Sequence, residues 1–277
     1  MHEIPLLMFT LLMQMSVGLT LFISLALLLL RGEETAKTTR LMIVPLLVGC
    51  VSAGVGLICS TLHLGYPLNA LNALRHFASS WLSREIIFAG AYLAMLGAAT
   101  LLALLKHVLW RWLIPFALAL GLIDIFCMSA IYAHSGVMTW THYTTWLLFF
   151  GSVGVMGAVA QSWLVAHPQE QAVRSTLLWS GAITALVALA VRALFQPFYL
   201  EYLAQMSLSD VVTFPHHPLR AWCALAAVRT LAWLLAFVGA ALLVINARYQ
   251  KRVTLICAAA ALVLSEVLFR YVFFSIG

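Results

Sequence analysis

The chain has 277 residues, 64% of them hydrophobic and 9% charged, and its mean hydropathy is +1.03. That balance leaves too little polar surface for a water-soluble enzyme and makes lipid the main solvent. The net charge of +6 resides in loops, in basic runs of two residues at most; this argues against a nucleic-acid-binding face and reports membrane orientation instead.

A helix needs roughly 20 mostly apolar residues to cross about 30 Å of hydrocarbon. Stretches of that kind run at about 5–30, 41–62, 85–105, 112–133, 143–166, 175–195, 222–245 and 253–274. The sequence therefore predicts an all-α integral membrane protein, a single bundle of about eight transmembrane helices over 1–277, with outer loops 64–84 and 196–221. No Lys or Arg precedes the first apolar run, which reads as a span rather than a signal peptide.

Orientation follows from basic residues on alternate sides. The first, third, fifth and seventh connections hold Arg31, Lys37, Arg40, Lys106, Arg111, Arg174, Arg248, Lys251 and Arg252, nine of the fifteen Lys and Arg. Those loops are expected in the cytoplasm, which leaves both termini and both long loops on the periplasmic side. The second long loop mixes Tyr199, Tyr202, Met206 and Leu208 with Glu201, Gln205 and Asp210, a pattern that fits short helices lying on the outer surface.

Cys50, Cys59, Cys127, Cys223 and Cys257 stand singly in apolar segments and read as small hydrophobes rather than metal ligands. Axial haem ligation needs histidines facing each other from within spans. Here His63, His76, His107, His134, His142, His167, His216 and His217 fall at span ends or in loops, so no haem is expected, nor any iron–sulfur cluster in this protein. The tryptophans sit mostly at predicted boundaries, as an interfacial belt does.

Ionisable groups inside a bilayer cost several kcal/mol and are candidates for function. Seven matter: His63 at the end of the second span, Glu85 opening the third, Asp124 near the middle of the fourth, Arg192 late in the sixth, Arg229 early in the seventh, and Glu266 with Arg270 in the eighth. In the expected orientation all but Asp124 lie in the outer half of the membrane. A one-sided cluster suits a ligand that enters from lipid and reacts near one surface, as a quinol does. Oxidising a hydroquinone releases two electrons and two protons, which calls for a hydrogen-bonding group at the ring and a base leading to water; His63 and Glu85 are of the right types. Structural readings stand beside these. His63 can cap its helix, Glu266 and Arg270 stand four apart in the order that favours an ion pair, Arg192 and Arg229 can snorkel, and Asp124 can bond a neighbouring helix.

The stretch from Leu62-His63-Leu64-Gly65-Tyr66-Pro67 through Asn72-Ala73-Leu74, followed by Leu82-Ser83-Arg84-Glu85-Ile86, resembles the "HLGxPxxAxNxL … LSxEI" signature of the membrane anchor subunit of anaerobic dimethyl sulfoxide reductases. His2-Glu3-Ile4-Pro5-Leu6 resembles that family's "HExPL", Thr139-Trp140 the start of its fifth span, and Glu266 to Arg270 its "GExxGR". Ser265 stands where the family often has glycine, Asp124 where an apolar residue is usual, and the segment after Arg270 is short. The resemblance implies an anchor for a molybdopterin catalytic subunit and a four-cluster iron–sulfur subunit, in the bacterial inner membrane. It implies menaquinol as bound substrate, with His63 and Glu85 at the quinol site; Arg229, Glu266 and Arg270, from the one-sided cluster of ionisable residues, are further candidate contacts. Such a protein would oxidise menaquinol in anaerobic respiration without catalysing the terminal reduction.

Two other readings compete. A small-solute transporter predicts polar groups at the midplane and broken spans, for which Asp124, Gly54 and Gly56 speak. A purely structural anchor predicts that His63 and Glu85 are replaceable without loss of quinol oxidation.

Overall fold

The computed structural model describes residues 4–63, 76–164, 171–206 and 217–277. The described residues form nine α-helices and no strand. These are α1 (Ile4–Leu29), α2 (Thr35–His63), α3 (Trp81–Leu105), α4 (Leu113–Ala133), α5 (Thr144–Leu164), α6 (Gln171–Gln205), α7 (Pro218–Ala224), α8 (Ala226–Tyr249) and α9 (Arg252–Ser275). All except α7 are long and apolar enough to cross a membrane, so eight spans stand as expected.

The boundaries differ from the apolar runs where polar chemistry extends a helix. Helix α2 starts at Thr35, ahead of its apolar run, and the Lys37–Glu33 ion pair (2.6 Å) lies at this polar start. At α3 the Ser80 side chain accepts the Ser83 N–H, so the helix begins at Trp81 and Glu85 stands one turn inside it. Helix α6 runs through Pro197 to Gln205 instead of stopping near 195, and its continuation replaces the separate surface helix expected for the start of the second long loop. Two tyrosines hold that continuation. Tyr199 Oη donates to the Thr139 carbonyl (2.8 Å) and Tyr202 Oη to the Met138 carbonyl (2.7 Å).

Consecutive helices pair as hairpins, α1 with α2, α3 with α4, α5 with α6 and α8 with α9. Helix α1 is the hub, packing along α2, α4 and α5 and touching α6 and α9. Its approach to α5 depends on two glycines. A Cβ on Gly18 would lie 2.1 Å from the Val153 carbonyl oxygen, and one on Gly157 would lie 2.5 Å from the Gly18 backbone. Bundles in lipid gain little from excluding water, so such close backbone packing and interhelical hydrogen bonds hold them. The second kind is present too. Tyr92 Oη on α3 meets Ser16 Oγ (2.6 Å) and Thr20 Oγ1 (2.9 Å) on α1, and Ser16 Oγ donates to the Gly49 carbonyl on α2 (2.7 Å).

Candidate functional site

Five of the seven ionisable residues singled out in the sequence fall into two groups that share no helix. The first lies on α3 and α4. Glu85 is buried on α3, and Asp124, fully buried on α4, lies within electrostatic reach of it. Neither Asp124 oxygen has a hydrogen-bond partner among the described residues, which corrects the expectation that Asp124 ties its helix to a neighbour. Trp81 closes the end of this helix pair, stacked on His134 (5.7 Å) and edge-on to Phe126 (5.9 Å), with the Arg84 guanidinium 4.2 Å from the Trp81 ring.

Helix α2 packs on α3 and ends at His63, so the hairpin brings the end of α2 to the same face of the bundle as the start of α3, where Glu85 sits. The His63 side chain lies outside the described residues, as do residues 64–75 of the signature stretch, and His2 and Glu3.

The second group lies on α1, α5, α6 and α9. Glu266 pairs with Arg192, not with Arg270 one turn along its own helix: Arg192 Nη1 donates to Glu266 Oε1 at 2.6 Å and Ser152 Oγ to Glu266 Oε2 at 2.6 Å. Arg192 also donates to the Leu148 carbonyl (2.6 Å) and to Ser152 Oγ (2.9 Å), which corrects the snorkelling reading. It fits there because residue 151 is glycine; a Cβ at that position would meet Arg192 Nε at 2.5 Å. Arg270 donates instead to Gln14 Oε1 (2.8 Å) and lies 3.9 Å over the Phe149 ring. Glu266 and Arg270 are 1% and 0% exposed, so both serve as ties inside the bundle and neither faces open space. Ser152 and Gln14 were not singled out in the sequence, although each is a polar residue within an apolar span.

Beside this network a cavity of about 100 Å³ opens into a wider cleft between α5, α6, α8 and α9. Arg192 and Arg229 both line it, and Arg229 donates to the Trp222 carbonyl and stacks over the Trp222 ring at 4.0 Å. Of the expected contacts in this region, then, only Arg229 faces a cleft. Among the described residues no group of three or more His, Cys, Asp or Glu comes together as metal ligands.

Eight apolar helices that enclose buried charged clusters define a multi-pass integral membrane protein with ionisable groups held inside the bilayer. The protein belongs to the DMSO reductase anchor subunit (DmsC) family, whose model matches residues 1–276, and is a protein of the bacterial inner membrane. It is 30% identical over 177 residues to the C subunit of anaerobic dimethyl sulfoxide reductase from Haemophilus influenzae, a match covering 62% of this sequence and 61% of that one. To the corresponding C subunit of Escherichia coli it is 33% identical over 200 residues, covering 70% and 69% of the two sequences. To the anaerobic dimethyl sulfoxide reductase subunit YnfH of Escherichia coli it is 32% identical over 162 residues, covering 57% and 56%. No solved structure matches the protein.

Proposed function

We propose that this protein is the menaquinol-oxidising membrane anchor of a three-subunit oxidoreductase, holding a four-cluster iron–sulfur subunit and a molybdopterin catalytic subunit on the periplasmic face. The relatives named as C subunits of anaerobic dimethyl sulfoxide reductases support the anchoring role. The observation that carries the quinol site is the buried Glu85, set near an Asp124 that finds no hydrogen-bond partner among the described residues, at the end of α3 where α2 terminates in His63.

In this reading His63 hydrogen-bonds one hydroxyl of the quinol ring and Glu85 accepts a proton from it. Oxidation removes two electrons and two protons from menaquinol. The electrons pass to the iron–sulfur subunit, and the protons leave to the same face, so none crosses the bilayer through this protein. Among the described residues Glu85 makes no ion pair, which leaves its carboxylate to accept a proton from a ligand. The transporter reading is weaker. Arg192, Glu266 and Arg270 are locked in contacts across four helices, where a transport path needs groups free to exchange partners.

The test is oxidation of a menaquinol analogue by membranes carrying the assembled complex, comparing wild type with His63→Ala and Glu85→Gln. Each variant is expected to lose activity by about 10²-fold or more, as removal of an acid–base group does, with partner subunits still bound. Unchanged oxidation in both variants would remove the site and leave the anchor.

A further inference from the structure

The cleft between α5, α6, α8 and α9 takes no part in quinol oxidation at His63 and Glu85, yet its charge is unbalanced. Arg192 and Arg229 line it and Arg270 lies next to Phe269 of its wall, and among the described residues Glu266, paired with Arg192, is the carboxylate that forms an ion pair in this region. Arg192 and Ser152 already fill both Glu266 oxygens. Among the described residues Arg270 Nε and Nη1 are buried with no partner, and so is Arg229 Nε on the cleft wall. Uncompensated cations inside hydrocarbon cost several kcal/mol, so the cleft calls for an anion.

The shape says what carries that anion. The rest of the wall near Arg229 is apolar and aromatic, with Trp233 one turn along α8 and Phe269 and Val272 on α9, and Trp233 stacks on Phe237, which is exposed on the outside of the bundle. The occupant therefore has a compact anionic head and an apolar tail lying on the aromatic wall formed by Trp233 and Phe269. A neutral quinol satisfies the tail and leaves the charge. We propose that this cleft is a binding site for an anionic phospholipid, its phosphate held by Arg229 in the field of Arg192 and Arg270, and its acyl chains on Trp233 and Phe269.

Arg229 is the residue to change, since its side chain is only partly buried and makes no ion pair among the described residues. The complex purified from membranes, washed in detergent and analysed by mass spectrometry for bound lipid and menaquinone, is expected to retain anionic phospholipid. Arg229→Gln should lower that retention about tenfold, the effect of losing one charge-assisted contact of roughly 1.4 kcal/mol, while Arg229→Lys keeps most of it. Equal retention in wild type and Arg229→Gln, or menaquinone lost in place of lipid, would overturn the assignment. Wild-type complex in phosphatidylglycerol nanodiscs should also unfold at a higher temperature than in phosphatidylcholine nanodiscs. Equal midpoints there would count against the site even if Arg229→Gln failed to assemble.

Discussion

Removing Glu266 is the sharpest perturbation the structure offers. Its carboxylate accepts from Ser152 Oγ and Arg192 Nη1, each at 2.6 Å, in a setting where the Glu266 side chain is 0% and the Arg192 side chain 6% exposed. Glu266→Ala leaves Arg192 with no counter-charge among the described residues and removes the carboxylate that acts on Arg270. Two magnitudes compete. An ordinary interhelical hydrogen bond in a bilayer contributes about 0.6 kcal/mol, whereas stripping one partner from a buried ion pair costs about 3–5 kcal/mol. The second applies here because both partners are buried, the Glu266 side chain completely. Unfolding of the purified protein in mixed micelles, followed by tryptophan fluorescence, is expected to show Glu266→Ala destabilised by about 3–5 kcal/mol. Glu266→Gln, which keeps an acceptor oxygen, should fall in between. Replacing Arg192 and Glu266 together by Met should recover only part of the loss, since Arg270 still lacks a carboxylate. A loss under about 1 kcal/mol for Glu266→Ala would refute the reasoning and place the pair among ordinary bilayer hydrogen bonds.

Two further outcomes are expected. Gly18→Ala drives a methyl into the Val153 carbonyl and the Gly157 backbone, neither of which is the movable end of a side chain; it should cost at least about 1–3 kcal/mol, read in the same unfolding assay, while Gly54→Ala, whose Cβ meets nothing, should be silent. His142, outside the spans, is partly buried, and desolvation holds its pKa below the usual 6.5. A base so depressed binds fewer protons folded than unfolded, so stability should be full above about pH 6.5 and decline as pH falls through the lowered folded value. His142→Gln should flatten that decline, and a profile identical to wild type would refute the assignment.

The sequence made the spans legible because a bilayer imposes length and polarity on every one of them, and α1, α4 and α9 begin and end within a residue or two of their apolar runs. It missed the extension of α6 because residues 196–205 look like an amphipathic surface segment, and Pro197 reads as a stop. What continues the helix is tertiary: Tyr199 and Tyr202 reach carbonyls of the Met138–Trp140 turn, some 60 residues away in sequence. The buried charges were visible as residue types, but their partners were not. The spacing of Glu266 and Arg270 points to a pair within one helix, and only packing reveals that Arg192 on α6 takes the carboxylate while Gln14 on α1 takes Arg270. Asp124 shows the opposite failure, since a partner looked necessary and the described residues supply none.

Helix α6 has 35 residues, about 52 Å at 1.5 Å per residue, against roughly 30 Å of hydrocarbon. Its surplus makes the helix a measuring rod. Arg192 is fixed in depth by Glu266, and Gln205 lies thirteen residues further on, about 20 Å along the axis. The height of the tip above the bilayer is therefore set by counting residues from a buried ion pair. A single insertion between Arg192 and Tyr199 would lift the tip by about 1.5 Å and swing its face by about 100°, pulling Tyr199 and Tyr202 off their carbonyls together. Sequence length in this stretch carries spatial information that the identity of its individual residues does not.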